Sequence, residues 1–171
     1  MATLTAVNPR WRYNQSGLDA MATERRLVDG DAVFKVGQPC YDKADGLMYT
    51  SVASSSANVY KYIALEDVST AIGADTTYKR FARIRPSDVF EMNVYHTTAA
   101  SAVVTEAMTG VEYGIKVNSN VAVVDIENTT QKSVQIVAPS WRDDSTNNSS
   151  DDVYARALVK FLVAVTDVAA A

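Results

Sequence analysis

The chain of 171 residues has one cysteine and one histidine. Cys40 alone makes no internal disulfide, and with His96 as the one other soft ligand it builds no zinc site. The seven glycines stand singly, so there is no glycine-rich loop to cradle a phosphate. No apolar run approaches the roughly 18 residues that a membrane-crossing helix needs. The N-terminal stretch MATLTAVNPRWRYNQ lacks the continuous apolar region of a signal peptide, so the expectation is synthesis and assembly in a cytoplasm. No period of about 20–50 residues recurs, which excludes a repeat array. A dense basic charge is missing as well. The net charge is −4, with eleven Lys/Arg against nine Asp/Glu up to Arg85 and five against eleven after it. That asymmetry suits contact with an unlike partner or between copies, not a direct nucleic-acid footprint.

What is present is a series of short β-type runs. Apolar residues make up 47% and charged residues 21% of the chain, an ordinary globular balance. Ala32–Val36, Cys40–Tyr41, Leu47–Tyr49, Val59–Leu65, Tyr78–Ile84, Val89–Tyr95, Val103–Thr105, Val111–Val117, Val121–Ile126 and Ser133–Ala138 read as strands. Gly, Pro, Asn and Asp punctuate them. Phe90, Met92 and Val94 share one face and Glu91 and Asn93 the other. Val153–Val165 is apolar on both faces. A helix is open there on Ala and Leu content, but a buried closing strand is preferred. Glu66–Ile72 has room for one helical turn capped by Gly73, and Leu18–Leu27 for a short helix. The expected class is all-β: a small barrel or sandwich of short antiparallel strands, at most one or two short helices, and an extended N-terminal arm. The arm spans 1–26. The domain spans 27–171 and carries a long polar loop at 139–152, in which Trp141 is the one anchor.

Candidate chemistry is sparse. His96 near a strand end has Asp88 or Asp125 as a possible orienter, but nothing marks a nucleophile, and a non-enzyme is expected. Asp143-Asp144 and Asp151-Asp152 read as a solvated acidic loop, without the spacing of a calcium loop. Neither a metal nor a cofactor is expected. Arg80, Arg83 and Arg85 interleave with Tyr78 and Phe81 as in single-strand nucleic-acid platforms. The acidic total favours a subunit interface for the same residues. Arg10-Trp11-Arg12-Tyr13 joins large apolar area to cations, the composition of an interface anchor. It docks either on its own domain or on a partner.

Ala32–Val36, Gly46, Ile63–Leu65 and above all Ile84-Arg-Pro-Ser-Asp-Val-Phe-Glu-Met-Asn-Val94 carry a family resemblance. So do Gly110-Val111-Glu112-Tyr113 and the closing run Ala157–Leu162. The chain resembles the capsid decoration, or cement, proteins of tailed bacteriophages, in the form with one small β-barrel, β-tulip-like domain. The resemblance spans roughly Leu27 to Val165 and leaves the arm unmapped. It implies a structural virion protein on the outer capsid surface. Such a protein bridges neighbouring major capsid proteins, stabilises the head, and forms dimers or trimers. On that reading Arg10, Trp11, Arg12, Tyr13, Arg80, Arg83, Arg85 and Trp141 are the candidate capsid or subunit contacts. The alternatives are a tail or baseplate β module, and a carbohydrate-binding host-recognition module in which Trp141 and Tyr154 stack on sugar.

Overall fold

Runs rich in Val, Ile, Phe and Tyr, cut short by turn residues, fold as strands. The computed structural model describes residues 9–17, 20–50, 60–69, 71, 77–98, 101–118, 121–140 and 155–162. The strands among them are Arg10–Asn14 (β1), Thr23–Leu27 (β2), Pro39–Asp42 (β3), Met48–Thr50 (β4), Tyr62–Ala64 (β5) and Tyr78–Arg83 (β6). Asp88–Tyr95 (β7), Glu112–Asn118 (β8), Val121–Asp125 (β9), Val134–Pro139 (β10) and Arg156–Phe161 (β11) follow. The chain is nearly all β, as its composition and punctuation predict.

Two sheets form. The first runs β1-β7-β11-β10-β8-β9, and a parallel pairing of Val94 and Tyr95 with Val124 and Asp125 brings β9 back to β7. Five strands, β7 to β11, thus close a small barrel. β11 pairs with β7 over Asn93 to Phe90, and β1 pairs with it over Glu91 to Asp88. β1 and β9 therefore share one edge of β7, and β1 is an addition to a ring already complete. The second sheet runs β2-β6-β5-β3-β4. A bridge between Val28 and Met48 joins its two outer strands, so this sheet also curls.

The curl encloses Val28, Ala32, Phe34, Cys40, Met48, Tyr62, Ala64, Val68 and Phe81. The larger core fills the barrel with Phe90, Met92, Val94, Ile115, Val124, Ile136, Val159 and Phe161, and it takes in Tyr60, Ile63, Ala82 and Ile84 from the second sheet. β5 and β6 are thus apolar on both faces in their middle. That is why the alternation of β6 looks imperfect in sequence: Phe81 faces one core and its neighbour Ala82 the other. Phe90 and Phe161 meet edge to face at 5.1 Å near the centre of the barrel core.

One ribbon ties the two bodies together. β2 runs antiparallel along β6, and β1 along β7. Between these pairings the Gln15 N–H donates to the Ser87 carbonyl (2.9 Å) and the Arg83 N–H to the Ala22 carbonyl (2.8 Å). The partner strand bends at a turn closed by the Asp88 N–H on the Arg85 carbonyl (3.0 Å), with Pro86 in the position where its fixed φ is favourable.

Some local expectations differ from the structure. Of the expected helix at Leu18–Leu27, the described residues 20–27 contain no helix; Thr23–Leu27 is β2, because pairing along the edge of β6 is stable where an isolated ten-residue helix is marginal in water. Ala32–Val36 is not a regular strand. Only Phe34 bridges, to Val68, while the Lys35 and Val36 N–H groups are taken by the Gln38 and Asp67 side chains. The same bridge replaces a helical turn at Val68. Val103–Thr105 has no strand partner among the described residues; Val104 is buried, and Thr105 leads into a 3₁₀ turn at Glu106–Met108. The apolar run near the C-terminus is a strand, β11, because its two neighbours β7 and β10 both need pairing. Gly73 and most of the 139–152 loop lie outside the described residues.

Candidate functional site

Much of the predicted interface set gathers on β1 and on the turn that precedes β7. Trp11 is half-buried against the main core, and its Nε1–H donates to Asp88 Oδ1 at 3.1 Å. Asn14 Nδ2 donates to the same oxygen at 2.8 Å. From the other side Arg85 closes on Asp88. Its backbone N–H and Nε reach Oδ2 at 2.9 and 3.2 Å, and Nη2 reaches Oδ1 at 3.0 Å. Asp88 is fully buried. Burial pushes its carboxyl up, but the bonds from Arg85, Asn14 and Trp11 outweigh that and hold it below its ordinary value.

A second carboxylate, three residues further along β7, repeats the pattern. Glu91, 4% exposed, sits between two arginines. Arg12 Nη2 from β1 lies 2.6 Å from Oε2, Arg156 Nη1 from β11 lies 3.3 Å from Oε1, and Ser140 Oγ donates to Oε2 at 3.3 Å. The two faces of β7 are both buried. The Phe90–Met92–Val94 face is core, as predicted, and the polar face is packed and paired instead of wet.

Of the residues singled out from sequence, Arg10 and Tyr13 point into solvent, Tyr13 with 42% exposure. Trp11, Arg12 and Arg85 are joined to the chain's own β7. Arg83 is exposed at the end of β6, and Arg80 is paired with Glu66 at 2.7 Å. Trp141 lies outside the described residues, as do Tyr154 and the acidic pairs of the polar loop. Sequence reasoning named Tyr78 only beside the β6 arginines, and it assigned no site role to Arg25 or Arg156. Arg25 stands directly opposite Arg80 across the β2–β6 pairing, beside Tyr78, which is 55% exposed. Like charges facing each other cost stability, and Glu66 offsets that cost for Arg80.

Comparison with protein-family models, with curated proteins and with solved structures gives no match. The site is therefore read from its own residues.

The catalytic candidates do not converge. Asp88 is engaged by Arg85, Trp11 and Asn14, and the carboxylate beside His96 is Glu127, 3.7 Å from Nε2. His96 Nδ1 accepts the Thr98 N–H at 2.9 Å, which ends the strand locally. Cys40 is buried, and burial pushes its thiol far above the reactive range. Among the described residues no group of three or more His, Cys, Asp and Glu is placed to hold a metal ion. No described helix is long and apolar enough to cross a membrane. What the arrangement offers is a surface: cations and tyrosines displayed on paired strands over a rigid body.

Proposed function

We propose that the chain is a structural virion protein that binds the outside of a tailed-phage head and bridges neighbouring major capsid proteins as a homo-oligomer. The observation that carries this reading is the Ile84–Val94 unit. The residues on which the resemblance to capsid decoration proteins rests are those that turn the chain from the second sheet into the barrel, and they anchor β1 through Asp88 and Glu91. Arg10, Tyr13 and Arg83 then face outward from that framework. Weak contacts of this kind multiply over a lattice of identical sites.

The test is co-sedimentation of the purified protein with expanded heads that lack it. Saturable binding is expected, weakened at least tenfold by Arg10→Glu with Tyr13→Ala. These point changes are preferable to deleting the first sixteen residues, because Trp11 and Arg12 also hold the fold. Absence of binding to expanded heads overturns the proposal, and labelling confined to the tail by electron microscopy turns it into the tail-module alternative.

A further inference from the structure

We infer that β1 is an exchangeable strand: the β7 edge that receives it in the closed monomer also receives β1 of a second copy. Three observations lead there. First, β7 to β11 close without β1, so its departure opens no ring. Second, among the described strands β1 pairs with β7 alone. Third, each buried carboxylate that anchors β1 also has a cation from the body itself. Asp88 keeps Arg85 and Glu91 keeps Arg156 when Trp11, Asn14 and Arg12 leave. The receptor edge therefore keeps a cation on each buried acid while empty, which lowers the electrostatic penalty for opening.

The occupant is specified by the edge itself. A strand must place an indole N–H and an amide on Asp88 and a guanidinium on Glu91, and the Trp11–Arg12–Asn14 pattern of another copy does so with the same bonds. Exchange replaces each contact by an identical one, so it is governed by concentration. A short tether provides an effective concentration of about a millimolar, and copies held near that density compete with it on equal terms. This deepens the self-association in the proposed function and needs no capsid.

The experiment uses the full chain with Tyr13→benzoylphenylalanine, a photo-crosslinking change at an exposed position of β1. Isotope-labelled and unlabelled protein are mixed, unfolded, refolded at about 1 µM or about 1 mM, and separated by size exclusion before illumination. The expected result is monomer at the low concentration. At the high one a dimer is expected whose crosslinks join residue 13 of one isotope to a β7 peptide of the other. The unlabelled wild-type protein refolded in parallel shows whether the dimer forms without the probe. Monomer alone at both concentrations overturns the inference. So does a dimer whose residue-13 crosslinks to β7 stay within one isotope, since β1 has then remained at home. Head binding by the co-sedimentation assay is a separate readout, so failure of exchange and failure of the capsid reading are distinguishable.

Discussion

Asp88→Asn tests the account of the anchor most directly. The change is nearly isosteric, so no cavity forms and the loss is electrostatic. If the amide oxygen keeps the place of Oδ1, it still accepts from Trp11 and Asn14. Its NH₂ group then faces the backbone N–H and Nε–H of Arg85, donor against donor. Removing one member of a buried ion pair costs about 3–5 kcal/mol. Arg85 is 23% exposed on its side chain and also donates to the Ala20 carbonyl at 2.8 Å, so it is not left stranded. The lower end, about 3 kcal/mol, applies. With a urea slope of about 2 kcal/mol/M, the unfolding midpoint falls by about 1.5 M. The pH dependence has a fixed sign. The carboxyl is held below its unfolded value of about 3.9, so its contribution is complete above that pH and is lost as pH falls through the folded pKa. The stability gap between wild type and variant is full at neutral pH and narrows below about pH 4. A midpoint shift under about 0.5 M, or a gap that does not change with acid, would show that Asp88 is not the anchor described.

Three further outcomes follow from the packing. Phe90→Ala empties a position with no exposure that meets Phe161 edge to face, and costs about 3–5 kcal/mol in urea unfolding; a loss under about 1.5 would contradict the barrel core. Gly114→Ala places a methyl 2.6 Å from Asn128 Nδ2 and 2.9 Å from the Gln131 carbonyl, and a cost of about 1–3 kcal/mol is expected. An unchanged melting temperature would refute that contact. Native Cys40 is expected to resist a thiol reagent until the protein unfolds, so modification at native rates comparable to a free thiol would exclude the enclosed second core.

The fold class was legible because strand signals and turn residues agree along most of the chain. Phe90, Met92 and Val94 announce a core face by period alone, and Pro86-Ser87 announces the turn. What periodicity misses is a strand buried on both sides for different reasons. Glu91 and Asn93 read only as the face opposite the core, and the arrival of Arg12 and Arg156 from strands far away in sequence is what lets the Glu91 carboxylate be interior. The arm was legible only as an anchor that docks on its own domain or on a partner, for a related cause. Arg10-Trp11-Arg12-Tyr13 has the composition of a partner contact, and two of its four side chains are used within the chain itself. Composition carries no information about which carboxylate is opposite. Likewise Lys35 and Val36 lose their ladder because side chains of Gln38 and Asp67 take the N–H groups, a competition that β propensity does not register.

The ribbon that joins the two bodies also sets a timetable. Every strand of the second sheet lies between Thr23 and Arg83, whereas the barrel waits for β11 at Arg156–Phe161. Trp11 meets Asp88 across 77 residues, so β1 is among the strands that must wait for a distant partner. Closing long loops slows folding, and local pairings form first. Pulse-labelled hydrogen exchange during refolding should therefore protect the amides of β5 and β6 before those of β7 and β11; simultaneous protection would mean that the two bodies fold as one. On that schedule β1 waits only for β7, while the barrel stays open until β11 arrives, so the strand that closes the ring is not the strand that ties the two bodies together.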